Sequence, residues 1–252
     1  MSENKLHTDF FLQFIKEGII PLSLLPEIAL FLTYRKEFLR LTVEEGRFHE
    51  VANKLNERDI SFASRKIYSI YKGNTWYDIK FENQINKQEM ADIHDVRYLI
   101  NCTLGKNDPN FVLDAEESGR IDQAGILLGY PECCINAIDE LNRSGLNWPL
   151  LLLERTKGNA NGYANRLASV WGGTSFTGEL FPCSLDCEHA ISLGKKAEIA
   201  LWELGLNRLS REIQYMSQRS VMVNKLTGEV QLLDENNCSR VNNKETVAVF
   251  FK

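Results

Sequence analysis

The chain has 252 residues, of which 44% are hydrophobic and 25% charged, with a formal net charge of −5. Such a composition excludes disorder and supplies apolar surface for one large domain or two small ones. Its 29 lysines and arginines are scattered and outnumbered by 34 acidic residues, which argues against a nucleic-acid duplex as partner.

The N-terminal stretch lacks the basic segment, apolar run and small-residue cleavage site of a signal peptide, which predicts a cytoplasmic chain. In a reducing compartment, structural disulfides are the less expected use of its cysteines. The apolar run from Gly18 to Leu32 is too short to cross a bilayer and contains Pro21, Pro26 and Glu27. It reads as a core helix, and no membrane partner is expected.

Taken in order, Thr8 suits the cap of a first helix with Phe10, Phe11, Phe14 and Ile15 at helical spacing, and Gly18 suits its stop. After Ser23 and Pro26-Glu27, the residues Ile28, Phe31, Leu32, Tyr34, Phe38, Leu39 and Leu41 continue a helical stripe. A third helix is expected from Val43 or Glu44 to Leu55. The aromatic and β-branched stretch from Lys66 to Phe81, centred on Lys72-Gly73-Asn74-Thr75, predicts a β-hairpin. Its Tyr68, Tyr71, Trp76, Tyr77 and Phe81 suit cross-strand pairs better than a ligand-stacking surface.

Asn86 to Leu104 reads as helical and carries Asp92, His94 and Asp95. On one helix Asp92 and His94 diverge, so a solvated face is expected there in place of a metal or acid–base group. Gly105 to Asn110 is loop, and Asp114 to Leu128 forms a helix or turn delivering the chain to Gly129. From Ile135 a helix runs to Gly145, another from Asn147-Trp148-Pro149 to Lys157, and Asn159 to Gly178 reads as loop with short structured pieces. The next helix runs through Ala190 to Leu204 with Gly205 as its stop. Strands then follow at Val221–Val223, Val230–Leu233 and Val247–Phe251, the first two joined through Leu226-Thr227-Gly228-Glu229. The sum is an α+β fold, mainly helical, with a hairpin near residues 66–81 and a small C-terminal antiparallel sheet. It is read as a single domain over 1–252, with a subdivision into 1–112 and 113–252 as the alternative.

Chemistry concentrates in Gly129-Tyr130-Pro131-Glu132-Cys133-Cys134 and in Phe181-Pro182-Cys183-Ser184-Leu185-Asp186-Cys187-Glu188-His189. Each reads as a helix start, with Pro131 in a first turn and Ser184 or Asp186 as N-cap. Backbone N–H groups and the positive end of a helix dipole favour thiolate there, the form that binds metal or attacks an electrophile. If the two starts converge, Cys133, Cys134, Cys183 and Cys187 supply four thiolates for zinc or an iron–sulfur cluster. Adjacent helical residues point about 100° apart, which leaves room for Cys133 or Cys134 to be a packing residue replaced by His189, Cys102 or an outside ligand. The same thiols also suit a metal-free thiol–disulfide oxidoreductase with Glu132, Glu188 and His189 as candidate proton carriers. A third reading is a non-catalytic binding or scaffold module whose cysteines only pack. Cys102 and Cys238 lack comparable settings and are assigned to the core or to incidental roles.

The paired signatures Leu128-Gly129-Tyr130-Pro131-Glu132-Cys133-Cys134 and Phe181-Pro182-Cys183-Ser184-Leu185-Asp186-Cys187 resemble those of an uncharacterised prokaryotic family of unknown function, over roughly Ala115 to Leu204. The resemblance implies a shared cysteine site. That family places a histidine just before Phe-Pro-Cys, where this chain has Glu179-Leu180. The order Cys102, Cys133-Cys134, Cys183, Cys187 is also similar to the cysteine-rich cluster-binding modules of heterodisulfide reductases. Here the late pair has one residue too many between its cysteines, and Ile135 stands where those modules have glycine. No phosphate loop, Gly-x-Ser-x-Gly or His-Glu-x-x-His is present, so the partner is left as an unspecified small molecule or protein.

Overall fold

The computed structural model describes residues 3–71, 77–144, 147–171, 174–233 and 245–251. Helix α1 (Glu3–Lys16) and helix α2 (Leu25–Leu32) are followed by strand β1 (Phe38–Glu44), helix α3 (Phe48–Asn56), and strands β2 (Ser61–Tyr71), β3 (Tyr77–Phe81) and β4 (Ile93–Thr103). Helices α4 (Asn110–Glu117), α5 (Ile121–Leu127), α6 (Glu132–Ser144), α7 (Trp148–Arg155), α8 (Glu188–Glu203) and α9 (Asn207–Ser217) come next. Strands β5 (Val221–Asn224), β6 (Val230–Leu232) and β7 (Thr246–Val249) close the chain. The fold is α+β, with two antiparallel sheets among the described residues.

These elements group into two units, one of residues 9–21 and 36–129, the other of residues 2–8, 22–35 and 130–252. In the first, the sheet order is β1-β4-β2-β3, so β4 is central and pairs along its length with β1 and β2. The expected hairpin is present, with Ile67 opposite Phe81 and Tyr71 opposite Tyr77. Its turn, residues 72–75, and Trp76 lie outside the described residues, as does Cys238. Leu113 of α4 packs with Ile67 and Leu99 on this sheet, and Phe48 stacks on Tyr98 at 3.8 Å between ring centroids.

Four sequence expectations are corrected here. The first helix begins at Glu3 and carries the buried Thr8 inside it. The helical stripe drawn through Leu41 ends at Leu32, and Phe38–Glu44 is a strand with Leu39, Leu41 and Val43 buried in alternation, so the third helix starts only at Phe48. The segment from Asn86 is a short 3-10 turn, Glu89–Asp92, and then β4. Asp92, His94 and Asp95 therefore belong to a turn and a strand. Helix α9 (Asn207–Ser217) fills a stretch for which no element is expected from the sequence, and it buries Ser210, Ile213 and Ser217.

The second unit builds around α2, every residue of which is buried, packed against α8. Glycine at 194 allows α8 a close approach to the turn Gly162–Ala164, since a Cβ there would lie 2.9 Å from the Tyr163 carbonyl oxygen. The expected small C-terminal antiparallel sheet is present, with the order β6-β5-β7. Val221, Val223, Val230 and Val249 of this sheet form one apolar cluster with Leu152 of α7, Leu167 and Leu185. Leu185 matters for function, because it roots the segment between Cys183 and Cys187 in that cluster.

Candidate metal centre

The first cysteine segment is shaped by a left-handed residue and a proline. Gly129, at φ 72°, turns the chain, and the Pro131 carbonyl accepts from Cys134 N at 2.9 Å and Ile135 N at 3.0 Å, so Cys133 and Cys134 fall in the opening turn of α6. The second segment is clamped from the chain that follows α7. Leu185 N donates to Thr156 Oγ1 at 3.0 Å, and the Leu185 carbonyl accepts from Asn161 N at 2.9 Å. Asp186 Oδ2 accepts from Lys157 N and Gly158 N at 3.1 and 2.6 Å. The expected capping role of Asp186 or Ser184 is thereby corrected: Cys187 itself is the N-cap residue of α8, and the Asp186 carboxylate is spent on the loop that holds it.

The two helix starts converge. Among the described residues, the four Sγ atoms of Cys133, Cys134, Cys183 and Cys187 all lie within 4.8 Å of one another, a group able to hold a metal ion. Cys133 to Cys134 is 3.9 Å, Cys133 to Cys187 3.7 Å and Cys134 to Cys187 3.8 Å. Both adjacent cysteines contribute, despite the divergence expected along a helix. Cys134 and Cys187 are buried, Cys133 and Cys183 half-buried. Around them pack Ala164, Leu180 and Ala190, with Tyr130, Ile191 and Leu193 partly buried at the edge.

Four thiols this close cannot ionise independently, because each new charge meets its neighbours in a poorly solvated site. Burial, then the Cys187 and Cys183 thiols, push Cys133 up to about 12. Cys134 is raised still further by hydrogen bonding to Cys183 and Cys187 and by its burial. Cys187 moves the other way, held well below the ordinary thiol range by hydrogen bonds from Cys134 and Cys183, with the Ala190 N–H assisting. Cys187 is thus the thiol whose ionisation its neighbours Cys134 and Cys183 favour.

The remaining sequence candidates sit elsewhere. Glu132, Glu188 and His189 are exposed in the first turns of α6 and α8, and none belongs to the sulfur group. Cys102 is fully buried on β4 in the first unit, where burial raises its thiol, and it is not among the four. Residues that sequence reasoning passed over are Glu27, read only as an interruption of an apolar run, and Thr156. A glutamate within a wholly apolar helix was the available signal for the first. The chain matches no protein-family model, no curated protein and no solved structure. No helix among the described residues is long and apolar enough to cross a membrane.

Proposed function

We propose that Cys133, Cys134, Cys183 and Cys187 bind a single zinc ion as a four-thiolate centre that locks the start of α6 to the start of α8. The observation that carries this reading is the spacing of the sulfurs. A tetrahedral ion with metal–sulfur bonds of about 2.3 Å sets its ligands about 3.8 Å apart. Three of the sulfur–sulfur distances are 3.7 to 3.9 Å, and none exceeds 4.8 Å. A four-iron cluster places each cysteine on a different iron and spreads the sulfurs to about 6 Å. The group is too tight for that without opening.

Four protein thiolates complete the coordination of zinc, which is the pattern of a structural centre, and its binding free energy becomes folding free energy. A metal-free thiol–disulfide oxidoreductase is the second reading, favoured by the lowered Cys187 thiol. Its weakness is access: Cys187 is 7% exposed, while the more accessible Cys133 is pushed toward the protonated, unreactive form. Metal and acid-labile sulfide analysis of protein purified without oxygen separates these readings. One zinc per chain without sulfide is expected. Iron with stoichiometric sulfide would replace zinc by a cluster, and four free thiols with no metal would leave the oxidoreductase.

A further inference from the structure

We infer that Glu27 is a positioning residue that sets the geometry of the four-thiolate centre from outside it; the inference rests on the zinc reading above. Glu27 lies on α2, roughly a hundred residues before the first cysteine motif, and is 2% exposed. A carboxylate so deeply buried must be matched by donors. Its Oε1 takes two of them, and each belongs to a segment leading into a cysteine motif. The Tyr130 hydroxyl donates to it at 3.1 Å, three residues ahead of Cys133. The Glu179 N–H donates to it at 2.8 Å, four residues ahead of Cys183. One oxygen atom therefore ties the leader of α6 to the leader of the Phe181-Pro182-Cys183 turn.

The surroundings are built to keep it there. Gly178 stands at φ 58°, and a Cβ at that position would come within 2.6 Å of the Glu27 Cγ, so the carboxylate arm occupies space that only glycine leaves open. Arg166 Nη1 donates to the Gly178 carbonyl at 2.6 Å, and its guanidinium lies 4.7 Å from the centre of the Phe181 ring. Ser23, just ahead of α2, donates to Glu179 Oε1 at 3.0 Å. Since α2 also packs on α8, which opens at Cys187, a single helix touches every segment that delivers a sulfur. Groups that hydrogen-bond a ligand from outside the ligand set fix its orientation, and losing one costs metal affinity about 10- to 100-fold; Glu27 acts on the chain segments leading to two ligands at once.

The test uses cobalt(II), whose absorption reports tetrahedral thiolate coordination, titrated into the full chain and into Glu27→Gln, Glu27→Ala and Tyr130→Phe. Glutamine keeps an acceptor at the Oε1 position and is expected to retain the wild-type spectrum and affinity within about threefold, whereas alanine weakens binding about 10- to 100-fold with altered bands. Wild-type spectrum and affinity in Glu27→Ala would overturn the inference. If that variant does not fold, Tyr130→Phe decides: weaker binding by several-fold supports the role, and unchanged binding ends it. If the wild-type chain gives no thiolate–cobalt bands, the zinc reading fails separately. Glu27 is then judged on metal-free protein by alkylation mapping, where alanine, but not glutamine, should open the buried Cys134 and Cys187 to iodoacetamide. An alkylation pattern identical to wild type would overturn the inference there too.

Discussion

At the scale of single residues, the four thiols differ in what each contributes. Cys134 is fully sealed and Cys187 nearly so, while Cys133 and Cys183 face partly outward. If the four hold zinc as proposed, replacing any of them by serine removes a ligand that zinc strongly prefers to a hydroxyl, so each single variant should lose more than about 100-fold in zinc affinity. Cys102→Ser, on β4, should leave metal content unchanged. Competition with a chromophoric chelator checks both, and a Cys134→Ser chain that still binds zinc normally would remove that residue from the set. The raised thiols also fix the sign of a pH dependence. Cys133 and Cys134 hold their protons in the metal-free chain, and both must leave before the sulfurs can ligate. Apparent affinity should therefore climb with pH, by at least about 100-fold per unit around neutrality for two protons released. A slope below two protons would contradict this assignment.

At the scale of elements, the helix after the second cysteine motif was readable because its stop is conventional: Gly205 sits at φ 75°, with Leu206 N bonded to the Leu201 carbonyl and Gly205 N to that of Trp202. Helix α2 ends in the same double bond, Arg35 N to Leu30 and Tyr34 N to Phe31, but a tyrosine at φ 57° occupies the left-handed position. With no glycine to mark it, the stop is invisible and the stripe runs on into β1. Strand β4 was hidden differently. It is central, so Leu99 through Thr103 are buried without a break and give no alternation. The clamp on the second cysteine segment belongs to this scale as well. Thr156 Oγ1 donates to the Leu152 carbonyl at 2.6 Å while accepting from Leu185 N, closing α7 and holding the loop with one hydroxyl. Thr156→Ala strands a buried Leu185 N–H and should lower stability by about 2 kcal/mol. Thr156→Ser should be near neutral, and denaturant titration of both variants checks this; equal losses in the two would show that the methyl group, not the hydroxyl, carries the effect.

Across the whole molecule, the two motifs and their four cysteines were legible in the residues, and so was the opening of a helix at or just after each motif. Their convergence was not. It depends on a buried carboxylate from α2, on the Thr156–Asn161 segment and on Leu185 reaching the β5–β7 cluster, contacts between parts of the chain that no local pattern links. The centre lies wholly within the second unit, and this gives metal removal a defined reach. Stripping the metal with a chelator should cost hydrogen-exchange protection at the starts of α6 and α8, while β2 and β4 in the first unit keep theirs. Uniform loss across both units would show that the centre supports the entire fold. The most direct test of the central claim is X-ray absorption at the metal edge of the protein as purified. Four sulfur scatterers at about 2.3 Å around one zinc per chain, with no metal–metal distance, is the predicted result. An iron edge with a short iron–iron distance, or no bound metal at all, would contradict it.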